Sequence, residues 1–197
     1  MFIEPQLSKG DSKDTGWVEV VCGSMFSGKT EELIRRLNRV LLAKQKVEIF
    51  KPAMDTRYHE VNVVSHNESV IRSTPVQFAS DILLLAGDCD VVGIDESQFF
   101  DDTLPEVCNQ LAEMGKRVIV AGLDMDFEGK PFGPMPAIMA SAEFVTKVHA
   151  ICMNCGALAS YSYRLATNME KVMLGEKSTY EARCRKCFIE GLKTNND

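Results

Sequence analysis

Short apolar runs punctuate the chain: WVEVVC (17–22), VEIFKP (47–52), VVGID (91–95) and RVIVAGLD (117–124). Their length and their Val and Ile content predict buried strands. Between them the apolar positions switch to helical spacing. Leu33, Ile34, Leu37, Val40 and Leu41 fall on one face of a helix after the first run, with Glu31 and Glu32 in its first turn, where the helix dipole favours negative charge. DILLLAG (81–87) predicts a second helix. Thr103 to Glu106 spells a capping box, followed by Leu104, Val107, Cys108, Leu111 and Met114 on one face and Gly115 as a stop. Strands alternating with helices predict an α/β domain around a mainly parallel sheet.

After about residue 147 this rhythm ends, and cysteines, aromatics and polar residues take over. The expected organisation is a loose tail over 1–16, an α/β nucleotide-binding domain over 17–147, a small lobe over 148–193 and a short tail over 194–197. Composition adds limits. With 197 residues, 45% hydrophobic and 25% charged, the chain suits one domain with a small appendage. A net charge of −6 argues against broad nucleic-acid binding, although residues 147–197 hold eight Lys and Arg against five Asp and Glu. No run of 18 apolar residues exists to span a membrane. The N-terminus lacks the apolar core of a secretory signal, so the seven cysteines are expected as reduced thiols in the cytoplasm.

GSMFSGKT (23–30) matches G-x-x-x-x-G-K-[ST] between a predicted strand and a predicted helix. Gly23 and Gly28 let the loop of Ser24, Met25, Phe26 and Ser27 turn its N–H groups inward onto phosphate oxygens, and the helix N-terminus adds its positive end. Lys29 can reach the β- and γ-phosphates of ATP, and the Thr30 hydroxyl can ligate Mg²⁺. Asp95, ending a neighbouring strand, is the expected acid for the same magnesium ion, and Gln98 is placed with the ATP contacts. Glu96 is then free to act as a base. The residues alone leave open whether it would activate water or an alcohol. Phe99 and Phe100, being adjacent, read by themselves as core.

CMNC (152–155) and CRKC (184–187) place two C-x-x-C pairs 28 residues apart. The thiolates of Cys152, Cys155, Cys184 and Cys187 can close a tetrahedral Zn²⁺ site, which leaves no position for water and is therefore structural. Such a site staples the base of the 156–183 excursion. That excursion carries Tyr161, Ser162, Arg164 and Tyr180, residues suited to hydrogen-bonding a small ligand. Cys22, Cys89 and Cys108 read as core packing. His59, His66 and His149 have no paired spacing.

Taken in order, GSMFSGKT, KPAMDTRY (51–58), DESQFF (95–100), LDMDFEGKPFG (123–133) and the cysteine pairs resemble the zinc-containing thymidine kinase family shared by bacteria and animals. The resemblance implies a RecA-like P-loop domain with a zinc lobe, and transfer of the ATP γ-phosphate to the 5′-hydroxyl of thymidine. It implies Mg²⁺ with ATP, structural Zn²⁺, a homotetramer and inhibition by the end product dTTP. By matching motif, Glu96 is the base on the 5′-hydroxyl, Arg57 stabilises the phosphoryl group in flight and Asp55 assists with magnesium. Phe99 and Phe127 stack on or wall in the thymine, with Met25, Leu123 and Ser162 beside them. The segment from Leu174 to Tyr180 closes over the nucleoside, with Tyr180 as a contact. Ser97 stands where many members have Gly, and Ser162 where some have Thr. The rival reading is a P-loop ATPase that binds nucleic acid through its zinc lobe, supported by Arg183, Arg185 and Lys186 around the cysteines.

Overall fold

Six strands form one sheet in the order β5-β2-β6-β7-β1-β8, and every pairing in it is parallel. They are β1 (Trp17–Cys22), β2 (Val47–Pro52), β5 (Thr74–Val76), β6 (Val91–Ile94), β7 (Arg117–Gly122) and β8 (Phe144–Lys147). The computed structural model describes residues 15–53, 62–64, 70–165 and 179–194. Helix α1 (Lys29–Leu42) packs on one face. Helices α2 (Ser80–Leu85), α3 (Leu104–Glu113) and α4 (Met135–Ser141) supply the other. A parallel sheet covered on both faces explains why its strands read as nearly continuous apolar runs. A hairpin of β3 (Asn62–Val64) and β4 (Val70–Arg72) precedes β5.

The four predicted strands are present, and so are the helices predicted after the first run, over 81–87 and after Thr103. Two details differ. Leu33, Ile34, Leu37 and Val40 are buried on α1, but Leu41 is 46% exposed and Arg36 is fully buried. The capping box does not form. The Thr103 backbone is already helical, its hydroxyl donates to Asp101 Oδ1, and Glu106 instead accepts from Gln110 Nε2 at 3.0 Å. Asp101 does the capping work for two helices, accepting from Thr103 N at 3.0 Å and Ala79 N at 2.9 Å. Gly115 does stop α3, in a left-handed conformation at φ 81°.

Arg36 is buried because β1 carries a buried acid. Trp17, Glu19 and Val21 alternate onto the α1 side, and Glu19 Oε2 accepts from Arg36 Nη1 at 2.8 Å. Its Oε1 accepts from Arg117 Nε and from Trp17 Nε1, both at 2.7 Å. Arg36 also reaches Glu32 at 2.8 Å and Thr146 Oγ1 at 3.0 Å, so one knot ties α1, β1, β7 and β8. Removing the acid alone would leave two guanidinium groups desolvated without their shared partner. Glu19→Gln is therefore expected to lower unfolding free energy by roughly 3–5 kcal/mol in denaturant titrations. A change below about 1 kcal/mol would show that the knot contributes little.

The lobe follows β8 directly. Val148 N donates to Cys22 O at 2.8 Å, extending the sheet edge toward β9 (Ala150–Ile151). β9 pairs with β10 (Leu158–Ala159), and β11 (Tyr161–Arg164) pairs with β12 (Tyr180–Arg183), both antiparallel. α5 (Arg185–Thr194) closes the lobe. No helix among the described residues is long and apolar enough to cross a membrane.

Candidate active site

The loop between β1 and α1 is shaped for an anion. Gly23 has φ 153°, and a Cβ there would lie 2.3 Å from the Val148 carbonyl oxygen, so no other residue fits. Gly28 is left-handed at φ 85° and serves as N-cap of α1. Ser27 Oγ and Lys29 Nζ both donate to Ser24 O, at 2.7 and 2.8 Å, and hold the loop closed. The Ser24 hydroxyl is buried without a hydrogen-bond partner. An orphaned buried hydroxyl in a loop that leads into a helix N-terminus is the arrangement a phosphate oxygen would satisfy. Burial lowers the Lys29 ammonium below the usual lysine range, against the opposing pull of Glu96, Asp95 and Asp124.

The acid pair lies across from this loop at the carboxyl end of β6, where ligands of parallel sheets bind. Thr30 Oγ1 donates to Asp95 Oδ2 at 3.3 Å, so the two predicted magnesium ligands are neighbours. Burial, and then the charge of Glu96, raise the Asp95 carboxyl to about 7. Two carboxylates so placed favour a cation between them and the phosphates, and the residues fit Mg²⁺.

Glu96 has φ 50° and ψ 38°, a left-handed conformation that costs a non-glycine residue free energy and often marks functional sites. Its backbone and its side chain are both held. Its N–H donates to Asp95 Oδ1 at 2.9 Å, and its carboxylate Oε2 accepts from Gln98 Nε2 at 2.6 Å. Gln98 Oε1 in turn accepts from Leu123 N at 2.9 Å, so a buried amide links the acid to the end of β7. Gln98, expected among the ATP contacts, sits between Glu96 and Leu123. The strain lies at Glu96 rather than at Ser97, whose hydroxyl donates to Ile94 O at 3.2 Å.

The other predicted residues divide into groups. Ser162 Oγ accepts from Met25 N at 3.0 Å, which joins the phosphate loop to the lobe. Phe99 meets Phe132 edge to face with centroids 5.6 Å apart. Phe127 is half-buried beneath the Arg164 guanidinium, and Tyr180 is buried beside the same arginine. Asp55, Arg57 and Leu174 lie outside the described residues. Sequence inspection missed an ion pair of Lys147 Nζ with the buried Asp124 Oδ2, at 2.5 Å. The acid in LDMDF was a signal; its partner on β8 had none.

The four cysteine sulfurs lie within 4.8 Å of one another, with Cys155 and Cys184 at 3.6 Å. A tetrahedral zinc site with Zn–S bonds of about 2.3 Å separates its sulfurs by about 3.8 Å, so the donor set fits. Burial raises the Cys152 thiol, but the backbone N–H groups of Cys184, Asn154 and Cys155 outweigh it and hold it at about 6. Burial and the neighbouring sulfurs of Cys184 and Cys155 push the Cys187 thiol up to about 12, so a metal would have to displace protons from part of the set. Cys22, Cys89 and Cys108 are buried in the core as expected. The basic residues around the cysteines have internal contacts. Arg183 pairs with Glu181 at 2.6 Å and lies 3.5 Å from the Tyr163 ring centroid, and Arg185 lies over Tyr161.

Such a loop, set against an acid pair on a parallel α/β sheet, defines a P-loop nucleotide-binding protein. A family model described as "Thymidine kinase" matches residues 16–188. A thymidine kinase of Rhodothermus sp. (strain ITI 518) is 64% identical over 188 residues, covering 95% of this chain and 88% of its own. One from Bacteroides fragilis (strain YCH46) is 58% identical over 197 residues, covering 100% and 98%. Among solved structures, the flagellar accessory protein FlaH from Methanocaldococcus jannaschii has a TM-score of 0.50 at 14% identity, covering 88% of this chain and 92% of its own, a likeness of fold. The chain belongs to the thymidine kinase family, and it is a kinase.

Proposed function

We propose that the protein transfers the γ-phosphoryl group of ATP to the 5′-hydroxyl of thymidine, giving dTMP. The observation that carries this reading is the held carboxylate of Glu96. It stands between the phosphate loop's acid partner, Asp95, and the end of β7, where Leu123 begins the segment that carries Phe127. Gln98 holds the carboxylate by one oxygen, and a carboxylate so held can accept the proton of the attacking hydroxyl. Phosphoryl transfer needs in-line placement and charge stabilisation more than covalent help. The loop amides and Lys29 supply charge stabilisation to the phosphates. Thr30 and Asp95, with Asp55 assisting, would hold Mg²⁺, which would neutralise charge on the phosphates. Arg57 contacts the phosphoryl group in flight.

On the same reading, Phe99, Phe127, Leu123, Met25, Ser162, Leu174 and Tyr180 surround the nucleoside. Structural Zn²⁺ on the four cysteines secures the lobe over 148–193 beside the nucleotide domain over 17–147. End-product inhibition by dTTP follows, because one molecule offers both a thymine and a triphosphate to adjoining sites. The homotetramer is proposed from the family resemblance, and the cytoplasmic location from the reading of the seven cysteines as reduced thiols.

The test is ATP-dependent phosphorylation across the four natural deoxynucleosides, with hydrolysis measured alongside. Thymidine is expected to be converted to its monophosphate, with little free phosphate released. ATP hydrolysis stimulated by DNA, with no nucleoside phosphorylated, would overturn the proposal in favour of a nucleic-acid-binding ATPase.

A further inference from the structure

Arg164 ends β11 directly opposite Tyr180 on β12. It is 5% exposed, so its charge is almost wholly withdrawn from water. Its Nε and Nη2 both donate to the Tyr180 hydroxyl oxygen, at 3.1 and 2.6 Å. The guanidinium carbon stands 3.6 Å from the centroid of the Phe127 ring. Phe127 comes from the segment after β7, in the nucleotide domain, while Tyr180 comes from the lobe. One planar cation therefore touches an aromatic residue from each side. Arginine suits this task because its flat, weakly hydrated group can stack on a ring face while its edge donates in a fixed fork.

We propose that Arg164 is the positioning residue that sets Phe127 and Tyr180 against one another for nucleoside binding, rather than a ligand contact itself. This rests on the reading of those two aromatics as nucleoside contacts.

The experiment compares Arg164→Met, Arg164→Lys, Tyr180→Phe, Phe127→Leu and the Arg164→Met/Tyr180→Phe double variant, each checked for folding by thermal melt. Arg164→Met is expected to raise the thymidine KM about tenfold, with the ATP KM within about twofold, the scale of one lost charge-assisted contact. Arg164→Lys keeps the charge and a donor but not the flat stack, so its rise should be selective and smaller, about threefold. The double variant should bind thymidine no worse than Arg164→Met alone, because both changes break the same contact. An unchanged thymidine KM in folded Arg164→Met, or a parallel rise in both KM values, overturns the inference while Tyr180→Phe and Phe127→Leu still raise thymidine KM. If those two variants also leave it unmoved, the pocket reading falls and the inference with it. Should Arg164→Met fail to fold, Arg164→Lys decides, and an unchanged thymidine KM in that variant overturns the inference.

Discussion

Glu96→Gln is expected to lower kcat by between about 10² and 10⁴, the usual contribution of a positioned general base, while ATP binds as before. In barrier terms this is about 3–5 kcal/mol. Glutamine is the informative replacement because the geometry is preserved. Its amide oxygen can still accept from Gln98 Nε2, as the carboxylate does at 2.6 Å, and the Asp95 contact uses the backbone N–H of residue 96. What glutamine lacks is a site for the proton of the alcohol. ATP affinity should hold because the loop contacts of Ser24, Ser27 and Lys29 do not pass through residue 96. Equilibrium binding of ATP and single-turnover transfer to thymidine separate the two effects. Full turnover in the variant would remove Glu96 from the chemistry. Lost ATP binding would place it in the nucleotide site.

Removing zinc is expected to have the second large effect, and the reason lies in what surrounds the four cysteines. Among the described residues, one apolar cluster of the lobe consists of Ala150, Cys152, Ala159, Ala182 and Cys187, and another of Tyr161, Tyr163 and Phe188. The cluster next to the four cysteines is built on small alanine side chains that bury little surface, so a metal bound there would contribute a large share of the folding free energy of that end of the lobe. Cys184→Ser, or a strong chelator, should remove one zinc per chain. At roughly 2–4 °C per kcal/mol for a chain of this size, losing several kcal/mol would lower Tm by on the order of 10 °C. Thymidine binding should weaken more than ATP binding, because Ser162 and Tyr180 sit on β11 and β12, with Ser162 paired to Ala182 in register. Elemental analysis finding no metal in native protein would refute the zinc assignment, as would an unchanged melt after verified removal.

Much of the site was legible because its chemistry is local in sequence. Gly23 to Thr30 carry a loop, its cation and a hydroxyl within eight positions, and the acid pair ends an apolar run. The cysteine pairs state their geometry through spacing. What stayed hidden depends on partners distant along the chain. The role of Glu19 has no local signal, because its partners Arg36 and Arg117 lie 17 and 98 residues away. The bridge that Gln98 makes between Glu96 and Leu123 has no local signal either, because it joins the end of β6 to the end of β7. Thr103 carried the capping pattern, yet Asp101 accepted the same amide from two residues upstream. Strand β8 passed unread because an edge strand with alternating half-buried positions lacks the apolar run that marks the central strands.

The seam between β8 and the phosphate loop limits how this enzyme could be rebuilt. Val148 N bonds Cys22 O, and the Val148 carbonyl occupies the space a side chain on Gly23 would need. The two halves therefore share a wall, with no spacer to absorb a change in either. A lobe borrowed from another protein would have to bring its own backbone oxygen to that spot, and a single residue inserted after Lys147 would slide it away. On the proposed placement of the nucleoside beside β11 and β12, its preference is more open to redesign by side-chain exchange within the lobe than by swapping the lobe as a cassette.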